Sequence, residues 1–81
     1  MKALVTVTLK PDVLDPQGQA IQKAIGSLGH AGVNDVRQGK VFEIDLDAAD
    51  AGAATALLEE LADKLLANTV IEDYKVEVVK G

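Results

Sequence analysis

Ten residues, Leu9 to Gly18, restrict the fold more than any other stretch: Leu-Lys-Pro-Asp-Val-Leu-Asp-Pro-Gln-Gly. Pro11 has no N–H to give a sheet ladder, so a strand that begins near Ala3 must stop at Lys10. Asp15 then precedes Pro16. An aspartate at N-cap accepts from the free N–H groups of a first helical turn, and proline at the next position loses nothing there. Ala20, Ile21, Ala24, Ile25 and Leu28 follow at helical spacing, with Gly29 suited to close the helix. A strand and a helix are therefore joined by a short, stiff, charged elbow.

The rest of the chain supplies more elements of the same two kinds. Ala3, Val5, Val7 and Leu9 alternate with Leu4, Thr6 and Thr8, which predicts a strand with its first set inward. Val33 to Gln38 is expected to be a weaker strand, with Val36 inward. Gln38-Gly39-Lys40 is read as a tight turn, leading to a strand over Val41–Leu46 that points Phe42, Ile44 and Leu46 inward. Asp47 and Asp50 both offer N-caps for a second helix reaching about Ala67. Its apolar stripe is Ala54, Leu57, Leu58, Leu61, Ala62 and Leu65, with Glu60 and Lys64 spaced as an i,i+4 pair. Asn68 is placed to end it, and Tyr74 to Val79 is expected to be a last strand with Tyr74, Val76 and Val78 on one face.

The expected order is β-α-β-β-α-β in one domain spanning residues 1–81. That order predicts an α+β, two-layer sandwich of the ferredoxin-like kind, with a four-stranded antiparallel sheet in order 4-1-3-2 and both helices on one face. The opposite face would mix Leu4, Thr6, Thr8, Val41 and Val79 with Lys75, Glu77, Glu43 and Asp45. Such a half-apolar surface points to burial of that face, or of a sheet edge, in a homodimer or larger self-assembly. A chain of 81 residues, with no cysteine and only Phe42 and Tyr74 as aromatics, has a small aliphatic core that association would reinforce.

Composition excludes several function classes. A net charge of −5 argues against nucleic acid or an anionic membrane as the main partner. No apolar run approaches the length of a membrane span, and Lys2 opens directly onto an alternating pattern, so a cytoplasmic chain without a signal peptide is expected. A single histidine, His30, cannot build a histidine metal cluster within one chain. Ser27, the one serine, lies inside the first helix with no evident base beside it. Asp12 and Asp15 read as elbow and cap, and Glu59 and Glu60 as a solvated helix face, rather than as acid–base pairs. No catalytic residue and no metal ligand is assigned. Arg37 and Lys40, with Lys10 near, form a local basic patch in an acidic chain.

Several stretches together resemble one family. They are Val5-Thr6-Val7-Thr8-Leu9-Lys10, then Val13-Leu14-Asp15-Pro16-Gln17-Gly18, then Val36-Arg37-Gln38-Gly39-Lys40, and Lys64 to Asn68 followed by Val70 to Tyr74. Nearly end to end, the chain resembles PurS, the small subunit of phosphoribosylformylglycinamidine synthase; Thr69 stands where the family leads one to expect proline. The resemblance implies a non-catalytic subunit that dimerises, bridges a glutaminase (PurQ) and a synthetase (PurL), and assists ammonia transfer between them. ATP and magnesium would be used by the complex, with no cofactor on this chain. It also makes Asp15, Gln17, Gly18, Arg37, Gly39 and Lys40, concentrated at the elbow and the second turn, the candidates for partner contact. Two other classes share the architecture. One is a small-molecule-sensing regulatory module. The other, acylphosphatase, needs an arginine in a phosphate cradle where this chain has Lys10-Pro11-Asp12.

Overall fold

The structure, a computed structural model, describes residues 1–79. Strand β1 spans Lys2–Leu9, helix α1 Pro16–Ser27, strand β2 Gly39–Asp45, helix α2 Ala51–Leu61 and strand β3 Glu72–Val79. A π-helical turn, Ala62–Leu66, continues α2. The described strands form one antiparallel sheet in the order β2-β1-β3.

The register explains the core. Val5 lies opposite Phe42 on one side and Val76 on the other, and Ala3 opposite Ile44 and Val78. Period-2 alternation therefore puts Ala3, Val5 and Val7 on the face that α2 covers. They are buried with Ala54, Leu58, Ala62 and Ala67, while Phe42, Ile44, Tyr74, Val76 and Val78 are partly buried around them. Fully burying one such Val or Leu side chain contributes about 1.5–3 kcal/mol, so Val5, Val7 and Leu58 anchor the fold. The opposite sheet face carries Leu4, Thr6, Val41, Lys75 and Glu77 in register, as the alternation predicts.

Both helix starts follow the sequence. Asp15 caps α1 through Gly18 N, and Asp50, rather than Asp47, caps α2 through Ala53 N. At the end of α1, Gly29 adopts φ +95°, Gly29 N donates to Gly26 O and His30 N to Ile25 O. This 6→1 and 5→2 pair is a Schellman closure, and it needs the left-handed residue that glycine supplies.

Three expectations are corrected. The Val33–Gln38 stretch is not a strand. Its backbone bonds go to side chains: Gln22 Nε2 donates to Asn34 O at 2.9 Å, and Gln38 N donates to Asp15 Oδ2 at 2.6 Å. Asn34 and Asp35 also disfavour a pleated strand. The four-stranded sheet is therefore three-stranded among the described residues. Second, Gln38-Gly39-Lys40 is not a hairpin turn. Gly39 and Lys40 open β2, paired with Thr8 and Val7 of β1.

Third, the helices do not share the sheet face. Gly18 is the one buried residue of α1, and Ile21 and Leu28 are exposed. The radius of gyration is 16.0 Å and the extents are 50 × 28 × 14 Å, whereas a compact chain of this length would have a radius of gyration of roughly 12 Å. Helix α1, with residues 33–38 returning alongside it, stands away from the sheet as an arm.

Candidate functional site

The arm leaves the sheet at the elbow, and the elbow is where the sequence motifs meet. Lys10 N donates to Ile71 O and Val13 N to Lys10 O, which pins the end of β1 and closes the turn after it. Lys10 Nζ reaches Asp73 Oδ1 at 2.8 Å. The Asp15 carboxylate then serves two N–H groups from different parts of the chain. Oδ1 accepts from Gly18 N at 2.9 Å and Oδ2 from Gln38 N at 2.6 Å.

Arg37 completes the tie from the other side. Its Nη2 donates to Lys10 O and to Val13 O, each at 2.8 Å. Outgoing and returning chain are thus clasped together by one carboxylate and one guanidinium. Asp15 is only 4% exposed. The bonds from Gly18 N and then Gln38 N hold its carboxyl below the usual carboxylate range; burial opposes this, and the Arg37 charge assists it.

Gly18 is dictated by packing. A Cβ there would run into the Val36 carbonyl oxygen, a backbone atom. Gly39 is dictated likewise, since a Cβ would meet Val7 O and Thr8 Cγ2, both at 2.8 Å. Glycine at 39 lets β2 enter beside β1, and does not make a turn.

A shallow depression of about 240 Å³ lies beside this clasp, lined in part by Asp15, Gln17, Gln38, Gly39, Lys40 and Glu72. Four of the six sequence candidates meet there: Asp15, Gln17, Gly39 and Lys40. Gly18 lies in the first turn of α1, and Arg37 lies on the elbow carbonyls. Lys40 Nζ sits 5.7 Å from the centroid of the Phe42 ring, a cation–π distance. The basic patch is thus divided: Arg37 and Lys10 have internal partners, and Lys40 is the cation that lines the depression.

Sequence reasoning missed Gln38, Gln22 and Glu72, whose contributions run through hydrogen bonds that no periodicity marks: Gln38 N to Asp15, Gln22 Nε2 to Val33 O and Asn34 O, and Asn68 N to Glu72 Oε1. Ser27 Oγ donates back to Lys23 O in its own helix, and His30 is exposed just beyond α1.

The comparisons with known proteins agree with these motifs. Residues 2–80 match the family model "PurS: Phosphoribosylformylglycinamidine (FGAM) synthase". The chain belongs to the PurS family. The synthase subunit PurS of Mycobacterium leprae is 51% identical over 75 residues, covering 93% of this chain and 91% of that protein. The crystal structure of PurS from Methanocaldococcus jannaschii, described as a subunit of formylglycinamide ribonucleotide amidotransferase in the purine biosynthetic pathway, is 39% identical. It superposes with a TM-score of 0.90, covering 99% of this chain and 96% of that one. A chain of the Thermotoga maritima PurLQS structure superposes with a TM-score of 0.88 at 26% identity, over 96% of this chain and 95% of that one. As a PurS chain, the protein is a subunit of phosphoribosylformylglycinamidine synthase, a ligase of purine biosynthesis.

Proposed function

We propose that this subunit is an adaptor that holds a glutaminase (PurQ) and a synthetase (PurL) together and assists passage of ammonia from one to the other. In that complex, glutamine and water yield glutamate and ammonia on the glutaminase. The synthetase uses ATP with magnesium to join ammonia to formylglycinamide ribonucleotide, releasing formylglycinamidine ribonucleotide, ADP and phosphate. The observation that carries this reading is the separation of α1 from the sheet. A 50 Å molecule with an arm offers two distant surfaces, which is what a bridge between two larger chains requires. Likeness over nearly the whole chain to a component of the PurLQS structure supports the same reading.

Within it, Gln17, Arg37, Gly39 and Lys40 form the contact surface beside the elbow, and Asp15 and Gly18 build it from beneath. The chain works as a homodimer or higher assembly in the cytoplasm. The mixed outer face of the sheet supports self-association, with Val41 57% and Val79 38% exposed there. No helix among the described residues is long and apolar enough to cross a membrane.

Co-purification tests the reading. A tagged chain should draw down a glutaminase and an ATP-dependent synthetase, and its removal should abolish glutamine-dependent turnover. If Arg37→Ala and Lys40→Ala leave both assembly and activity unchanged, those two side chains are removed from the contact surface.

A further inference from the structure

We propose that Val70, on the turn from Asn68 to Glu72, is an apolar anchor that seats in an apolar socket with a cationic rim on one of the larger subunits of the synthase. This rests on the adaptor reading above and adds to its interface a residue outside the elbow candidates. At 81%, Val70 is the most exposed large apolar residue among the described ones. The turn that carries it is nonetheless closely tied. Asn68 O accepts from Ile71 N at 3.0 Å and from Glu72 N at 2.7 Å. Asn68 Oδ1 accepts from Val70 N at 3.2 Å, and Glu72 Oε1 accepts from Asn68 N at 2.7 Å. Lys10 N donates to Ile71 O at 2.9 Å and so fastens the turn to the elbow. Held out to water, the Val70 side chain adds nothing to the core. On a turn already ordered by folding, it meets a partner without the ordering cost of a mobile loop.

The elbow surface lacks what this turn provides. Gln17, Arg37, Gly39 and Lys40 are polar or carry no side chain, whereas the buried centre of an interface is more apolar than its rim. The two surfaces are continuous. Glu72 lines the depression beside the clasp and also one formed with Lys10, Thr69, Asp73 and Tyr74. Charge states what the rim of the socket must be. Glu72 and Asp73 follow the turn in a chain of net charge −5, so cationic groups complement it. A second copy fits poorly. Two such turns meeting about a two-fold axis would set these carboxylates against each other. The depression lined by Leu4, Ile44 and Val79 carries Glu43 and Asp45 against one lysine, Lys2. It also lies at the other end of the sheet, where Lys2 pairs with Val79, so seating Val70 there would join copies head to tail. Self-association on the sheet face and docking through the turn therefore use different residues.

The test uses the full chain with its glutaminase and synthetase subunits. Val70→Ala shortens the anchor without touching a bond of the turn, and Val70→Ile keeps it apolar. Val70→Lys and Val70→Glu place opposite charges in the socket. Asn68→Ala removes the acceptor of Val70 N and leaves the anchor in place. Leu65→Ala, at a residue 75% exposed and outside the turn, is the control. Three quantities are read: the Kd for each larger subunit, the subunit concentration giving half-maximal glutamine-dependent turnover, and sedimentation of the chain alone.

Val70→Ala should raise the Kd for one subunit and the half-maximal concentration about tenfold, as loss of two buried carbons predicts. Turnover at saturating subunit and sedimentation of the chain alone should stay at wild type. Val70→Ile should bind near wild type, Val70→Lys should weaken binding more than Val70→Glu, and Leu65→Ala should change nothing. Asn68→Ala should speed exchange of the Val70 amide and weaken binding severalfold. An unchanged Kd and half-maximal concentration for Val70→Ala would overturn the proposal. So would a shift of the chain alone towards monomer, since a second copy would then cover the turn. Val70→Glu weaker than Val70→Lys would overturn the cationic rim, and full binding by Asn68→Ala with a freely exchanging Val70 amide would overturn the role of the ordered turn. If the unaltered chain binds neither larger subunit, the adaptor reading itself falls, an outcome distinct from equal binding by the wild type and Val70→Ala.

Discussion

Gly39 and Gly26 show how one residue type has opposite roles in this chain. A Cβ at Gly39 would press on Val7 O and Thr8 Cγ2 where β2 enters the sheet, and one at Gly26 would meet nothing within 4 Å. Gly39→Ala should therefore destabilise the chain by roughly 1–3 kcal/mol in urea unfolding. Gly26→Ala, in the exposed face of α1, should stabilise it by up to about 1 kcal/mol. Asp15 carries a pH signature. Its carboxyl is held below the usual range in the fold, so its contribution is complete above the ordinary aspartate value of about 3.9 and is lost as pH falls through the lowered one. The Gln38 amide, followed by NMR on acidification, should lose protection before the β1 amides do, and Asp15→Asn should lack that step. The cap role of Asp15 was legible in the Asp-Pro pair. Its second bond, to Gln38 N across 23 residues of chain, was not, because nothing local marks it.

At the scale of elements, α2 shows where period counting holds and where it stops. Ala54, Leu58 and Ala62 are buried at the helical spacing read from the sequence. Leu65, next on that stripe, is 75% exposed, and Leu66 packs on the core in its place. The π turn is the cause: Ala67 N bonds Ala62 O, five residues back, so the wider turn delays the inward position by one residue. Leu58→Ala should cost about 2–5 kcal/mol in thermal or chemical unfolding. Leu65→Ala, by contrast, should fall within about 0.5 kcal/mol of the parent. The Val33–Gln38 stretch failed for a related reason. Its apolar residues suggest a strand, but its polar backbone groups find partners on α1 and the elbow before a sheet edge can take them.

The whole molecule departs most from what composition and order suggest. Strand and helix positions led to a two-layer sandwich, and a sheet with one helix on it is present. The place of α1 was not legible, because the Ile21, Ile25 and Leu28 stripe marks an apolar face without marking which surface meets it. Self-association is tested at this scale. Val41→Glu, on the outer sheet face, should shift the chain towards monomer in sedimentation at fixed concentration while leaving its circular dichroism unchanged. An unshifted assembly would move the self-contact elsewhere, and the exposed α1 stripe would then be the next surface to alter.

The central place of β1 has a consequence for how the polypeptide matures. Its neighbours are β2 and β3, and Lys2 pairs with Val79. β1 is therefore made before either partner and waits for β3 before its second ladder can close. Such distant pairing slows folding and leaves a nascent apolar strand open to wrong partners in the interval.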